Sequence, residues 1–232
     1  MHSGFHASMQ IAQPGSPAAR ISLSDQAFGA LEEMIVTLKL PPGSLWSEAT
    51  LSESVGIGRT PVREAVQRLA EYHLVVVMKR HGIRIAEVNE QEQLLVLETR
   101  RELERLIASR AARRASAEDK KTMAAMAQAL LRAGKAGDVV ELLRQYFVAK
   151  TFTANCAGNR FSAQAIAPLY TLSRRFYFMH HQELNDLPEV ARLHAELLRA
   201  IATGDEAAAT VACDRQIDYA ASFAKRIITR GF

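Results

Sequence analysis

The stretch from Leu74 to Val88 limits the possible folds more than any other part of the chain. Leu74-Val75-Val76-Val77-Met78 is a short apolar run of strand length, and Lys79-Arg80-His81-Gly82 forms a turn. Ile83-Arg84-Ile85-Ala86-Glu87-Val88 then alternates apolar and polar residues, the pattern of a half-buried second strand. Everything before this hairpin reads as short helices. Ser24-Asp25 precedes apolar residues at Ala27, Leu31, Met34, Ile35 and Leu38, and Pro41-Pro42-Gly43 stops that helix. A second helix runs from Ser47 to Val55, presents Leu51 and Val55, and breaks at Gly56. Thr60-Pro61 predicts a third helix start, the threonine capping free amides and the proline fitting the first turn. Val62, Ala65, Val66 and Leu69 form one face of this helix, while Arg59, Arg63 and Gln67 fall on another. Three helices and a β-hairpin in about sixty residues describe a winged helix-turn-helix over residues 21–88.

Residues 1–20, rich in Ser, Gly, Ala, Pro and His without periodicity, read as a disordered arm. Beyond Asn89 the β signal disappears. Helical segments cover about 90–115, 117–134, 138–156, 159–184, 188–203 and 205–230, an all-α antiparallel six-helix bundle filling residues 89–232. The expected fold class is therefore mainly α, in two domains. Cys156 and Cys213 lie far apart in no zinc-type spacing and read as two reduced thiols. There is no signal-peptide pattern, and the longest apolar run, Leu74 to Met78, is too short to cross a bilayer. The expectation is a cytoplasmic protein with no membrane partner.

Net charge is +4, and its distribution is more informative than its size. From Arg59 to Arg84 six basic residues (Arg59, Arg63, Arg68, Lys79, Arg80, Arg84) face two acidic ones, Glu64 and Glu71. Such a local excess marks phosphate-backbone binding; a solvated charged surface is the plainer reading of the same residues. Arg59, Thr60, Pro61 and Arg63, with Arg68 further along, are placed to enter a major groove, where an arginine fork matches guanine O6 and N7. Lys79, Arg80, His81 and Gly82 are the expected wing tip, able to reach phosphates or the minor groove.

Leu40-Pro41-Pro42-Gly43-Ser44-Leu45, Glu48, Leu51 and the run Gly56-Ile57-Gly58-Arg59-Thr60-Pro61-Val62-Arg63-Glu64-Ala65 resemble the GntR family of regulators. The second half resembles the helical FCD effector domain of the family's FadR-type branch. The residues that carry this are Arg100-Arg101-Glu102-Leu103-Glu104, Ala157-Gly158-Asn159, and His194 through Ile201-Ala202 to Gly204-Asp205. The resemblance implies a homodimeric repressor of a metabolic operon, bound to an inverted-repeat operator and controlled by a small effector. Departures in the first domain are Gly58, where the family often has Ser, His73, where it often has Gly, and Ser52, where it often has Ala.

Many FCD domains hold a divalent metal with an Asp and three His. By register those positions are Tyr146, Lys150, His194 and Gln216 here, so no metal and no other cofactor is expected. The six residues Arg100, Glu104, Tyr146, Lys150, His194 and Gln216 instead become a candidate effector pocket. With cationic and hydroxyl donors in place of a metal, it would suit a carboxylate or phosphate directly. The plainer readings are satisfied core residues at His194 and Gln216, and a Lys150 that points to solvent. Two other function classes stand beside the regulator: a helical ligand-binding enzyme with His194 as general base, and a DNA-binding architectural protein with no effector.

Overall fold

The computed structural model describes residues 21–183 and 186–230. The arm expected over 1–20 lies outside the described residues. The chain divides into two compact units, one ending at Val88 and one beginning at Asn89.

In the first unit, α1 spans Leu23–Val36 and is capped by Ser22, whose hydroxyl accepts the Asp25 amide, two residues ahead of the expected start. It also ends earlier than Pro41. The Thr37 hydroxyl bonds back to the Glu33 carbonyl, and Leu38 takes a left-handed φ of 57°. That turn drives Leu40 into the core before the prolines are reached. A two-residue strand, β1 (Leu45–Trp46), follows, then α2 (Glu48–Val55), α3 (Arg59–Glu71), β2 (Val75–Met78) and β3 (Gly82–Ile85). The expected hairpin is thus a three-stranded antiparallel sheet in the order β1-β3-β2, with Leu45 opposite Arg84 and Trp46 opposite Ile83. β3 stops at Ile85, so Ala86 to Val88 are not strand as expected.

The core of this unit is Ala27, Leu31 and Ile35 of α1, Leu51 of α2, Val62, Ala65, Val66 and Leu69 of α3, and Ile83 and Ile85 of β3. Each large aliphatic side chain buried here contributes about 1.5–3 kcal/mol relative to exposure. Gly82 and His73 are among the demanding backbone positions of this unit. Gly82 has φ +92°, and a Cβ there would lie 2.6 Å from the Trp46 carbonyl oxygen. His73 holds φ 59°, a left-handed conformation that a glycine would adopt without steric cost.

The second unit contains α4 (Glu90–Arg114), α5 (Ala117–Ala136), α6 (Val139–Cys156), α7 (Arg160–His180) with one 3-10 turn at His181–Glu183, α8 (Leu187–Thr203) and α9 (Glu206–Arg230). These are the expected helices, displaced by a residue or two at most ends. Their starts are capped in order by Asn89, by a Ser116–Asp119 capping box, by Asp138 and by Asn159. Gly137 and Gly204 end α5 and α8 in left-handed conformations. α4 packs chiefly on α9, and α5 on α8. At Gly134 the α5 backbone comes so close to α8 that a Cβ would stand 2.5 Å from the Ala191 Cβ. Both cysteines are free, and burial pushes each thiol up to about 12. Among the described residues no helix is long and apolar enough to cross a membrane.

Candidate DNA interface and effector cavity

α3 begins at Arg59, after Gly58 in an extended conformation that supplies no side-chain cap. Thr60 is therefore the second helical residue and not a cap, which corrects the sequence expectation. Thr60-Pro61 looks like a cap followed by a first-turn proline, yet Arg59 is already helical. The amides of the first turn are left without a side-chain acceptor, as an anion-binding helix start requires. Arg59, Thr60 and Arg63 are exposed, and Pro61 is half-buried beside them.

Arg68 needs a second correction. It lies nine residues beyond Arg59, about 180° around the helix. Its Nη1 donates to Asp25 at 2.7 Å, and its guanidinium stacks on Phe28 at 4.3 Å. The structure uses it to hold α1 against α3, away from Arg59 and Arg63. At the wing tip Lys79, Arg80 and His81 are exposed, with Arg80 at φ 66°. Gly82 belongs to β3, where it admits the Trp46 carbonyl, and is not part of the turn.

Arg63 is not alone on its exposed face. Its Nε donates to both carboxylate oxygens of Glu48 at 3.0 and 3.1 Å, and its Nη2 donates to Oε2 at 2.7 Å. Sequence reasoning gave Glu48 no role, since the two residues lie on different helices.

In the second unit the six expected residues meet and form a closed ring of contacts. Arg100 donates from Nε and Nη2 to Glu104 at 2.9 and 2.5 Å, and from Nη2 to the Tyr146 hydroxyl at 3.0 Å. Glu104 also accepts from the Lys150 ammonium. Lys150 donates to the Gln216 carbonyl oxygen at 2.6 Å. Gln216 donates its amide N–H to the His194 imidazole, whose ring meets Tyr146 edge-on at 4.6 Å. α4 and α6 each supply two members one turn apart, and α8 and α9 supply one each. Lys150 is only 5% exposed, so the reading that it points to solvent is wrong.

Burial and charge set the protonation states. Burial would raise the Glu104 carboxyl, but Arg100 and Lys150 outweigh it and hold the group below the usual carboxylate range. Burial draws the Lys150 ammonium below the usual lysine value, against the pull of Glu104. Burial, with Lys150 and Arg100, keeps His194 well below an ordinary histidine, so its imidazole is neutral and accepts from Gln216. Burial pushes the Tyr146 phenol up to about 12.

Arg100, Tyr146, His194 and Gln216 face a cavity with an empty volume of about 670 Å³, its mouth included. Glu104 and Lys150 do not line it; they lie behind Arg100 and Gln216 and tie them in place. Sequence reasoning missed five polar members of the wall: Gln93 of α4, whose amide donates to Ser173 of α7 at 3.1 Å, Arg174 of α7, which stacks on Phe147 at 4.5 Å, and the tyrosines Tyr177 and Tyr219. Both phenols donate to Asp186 at the start of α8, Tyr177 at 2.5 Å. Phe176, Phe223, Val190, Leu193 and Leu142 make the rest of the wall apolar.

The four positions matched to a metal site do stand together, but their chemistry does not fit a divalent ion. Lys150 brings a proton already shared with Glu104 and Gln216, Tyr146 stays un-ionised, and the Gln216 oxygen is occupied. His194 is the one good ligand, and a transition metal needs three or four donors. Among the described residues no group of three His, Cys, Asp or Glu could hold a metal.

Residues 23–85 match the family model of the bacterial regulatory proteins of the gntR family, and residues 95–219 match the FCD domain. The chain is a GntR-family transcriptional regulator with an FCD domain. It is 42% identical over 59 residues to an uncharacterized HTH-type regulator in an unstable DNA locus of Streptomyces ambofaciens, 25% of each chain. It is 35% identical over 97 residues to an uncharacterized HTH-type regulator from the TAR-I ttuE-ttuC' intergenic region of Agrobacterium vitis, 42% of this chain and 55% of that one. The matched stretches thus span a quarter and about half the length of these curated relatives. E. coli McbR/YncC superposes with a TM-score of 0.79 at 19% identity, covering 90% of this chain and 99% of that one. A GntR regulator from Rhodococcus sp. RHA1 superposes with a TM-score of 0.68 at 15% identity, covering 87% and 96%. At such identities these two are similar in fold. GntR regulators bind DNA and FCD domains bind small-molecule effectors, so the enzyme reading with His194 as general base and the effector-less reading both give way.

Proposed function

We propose that this GntR-family regulator is a cytoplasmic homodimeric repressor of a metabolic operon, released from or directed to an inverted-repeat operator by a small organic anion. Arg59, Thr60 and Arg63 would read the half-site, with Lys79, Arg80 and His81 on the flanking backbone. A short recognition helix reads few bases, and twofold symmetry doubles the site.

The observation that supports an anionic effector is the charge of the buried ring. Arg100 and Lys150 are two cations against the single carboxylate of Glu104, with His194 neutral. The excess positive charge lies at a water-poor cavity wall, where an opposite charge about 4 Å away gains about 4 kcal/mol at an effective dielectric of about 20. Arg100 presents it, and Arg174 adds a second guanidinium to the same wall. Thermal-shift measurements on chelator-treated protein test this with inorganic phosphate, succinate, phenylacetate and the neutral phenylacetamide. At least one anion is expected to raise Tm without added metal, and to change affinity for an inverted repeat selected from random duplexes. Stabilisation by the amide alone, or only after a metal is restored, would contradict the proposal.

A further inference from the structure

The pair formed by Glu48 and Arg63 explains more than the attachment of α2 to α3. A guanidinium has five N–H donors in a rigid fork. Glu48 takes the edge made by Nε and Nη2, bonding at 2.7–3.1 Å. That leaves three N–H groups, and the outer one on each of Nη1 and Nη2 forms the end-on pair that matches guanine O6 and N7. The arginine side chain remains 66% exposed while its carboxylate partner is 34% exposed, so the free end faces outward from the bonded edge. Glu48 is itself well placed, as the first residue of α2, behind the Ser47 cap and one turn before buried Leu51. Arg59, one turn before Arg63, also acts on the Glu48 carboxylate.

We propose that Glu48 is a positioning residue for base readout: it aims the free end of Arg63 at a guanine and sets a negative charge against DNA backbone that offers no such base. The inference rests on the reading of α3 as the helix that meets base edges. An unbuttressed arginine must be ordered on binding, a cost of about 0.5–1.5 kcal/mol for a rotamer-rich side chain, which corresponds to roughly two- to tenfold in affinity. Random DNA needs no such aim, and loss of the carboxylate removes a repulsion there. Glu48 therefore acts on discrimination more than on affinity as such.

The test uses the full chain and a duplex enriched by that chain from a random library, with random duplex as reference. Fluorescence anisotropy gives both affinities at several salt concentrations for Glu48→Ala, Glu48→Gln, Arg63→Ala and the double variant with both alanines. Glu48→Ala is expected to lower the ratio of specific to random affinity roughly five- to tenfold, with random affinity unchanged or raised. Glu48→Gln, which keeps one acceptor, is expected to fall between. In the Arg63→Ala background the Glu48 substitution is expected to leave the ratio unchanged, which a merely structural role would not do. An unchanged ratio in Glu48→Ala, beside a reduced one in Arg63→Ala, overturns the inference and leaves the reading of α3 standing. A Glu48 effect of equal size in the two backgrounds likewise overturns the inference alone, whereas an undiminished ratio in Arg63→Ala overturns both.

Discussion

Replacing Glu104 by glutamine strands two cations in the interior of the FCD domain. Glu104 is 2% exposed and, among the described residues, is the single carboxylate bonded to both Arg100 and Lys150. Breaking a buried pair by removing one partner costs about 3–5 kcal/mol. Lys150 also sets a ceiling, because it can shed its proton instead of staying charged. From an ordinary lysine pKa of about 10.4, neutrality at pH 7 costs about 4.6 kcal/mol at about 1.36 kcal/mol per unit. Over this chain length each kcal/mol moves Tm by about 2–4 °C, so Glu104→Gln should melt about 10 °C or more below the natural protein at pH 7. The pH dependence identifies the cause. The unfolded variant keeps the Lys150 proton up to pH of about 10.4 while the folded variant releases it, so the unfolded state binds more protons and stability rises with pH. The deficit should therefore shrink between pH 6.5 and 8.5 in melts followed by circular dichroism. Adding Lys150→Met should relieve more than half of it. A Tm within about 2 °C of the natural protein would refute the reasoning, as would a deficit that neither follows pH nor responds to Lys150→Met.

Gly82→Ala sets a Cβ 2.6 Å from the Trp46 carbonyl at φ +92°, so a loss of about 1–3 kcal/mol and weaker DNA binding are expected; an unchanged melt would contradict this. Arg68→Ala removes the Asp25 pair and the Phe28 stack and should cost roughly 1 kcal/mol in denaturant titrations, leaving the salt slope of DNA binding unaltered. The His194 imidazole, held neutral by burial and by Lys150 and Arg100, should show no NMR titration between pH 8 and 5.5. The unfolded chain takes up that proton near pH 6.5, so stability linked to His194 should fall as pH drops below that value.

The elements with strong periodicity were legible: the β-branched run at Val75–Val77 and the helical faces of α1 and α3. β1 was not, because two residues between a turn and the Ser47 cap cannot display alternation. Thr60 misled because its propensity fits a cap, while the backbone of Gly58 decides where the helix begins. Arg68 was grouped with the groove-facing arginines on charge alone, although helical spacing already sets it opposite Arg59. In the effector domain the i,i+4 spacings of Arg100 with Glu104 and of Tyr146 with Lys150 brought the ring within reach of sequence reasoning. Arg174, Tyr177 and Tyr219 were not within reach, since a helix face lining a cavity carries the same pattern as one packed on a core. Glu48 was hidden for another reason: its partner lies on the next helix, and no local rule joins them.

The close approach of Gly134 to Ala191 has a consequence for how fast a ligand can enter and leave. Ala191 lies one turn before His194, so α8 is pinned to α5 just where it presents the imidazole to the cavity. No side chain at Gly134 cushions that contact, and close-packed interiors resist compression, so this part of the wall cannot recoil to widen the cavity. The wall stands ready before a ligand arrives, and association does not wait for it to form. Release of a ligand is likewise expected to need no movement of α8 at this point.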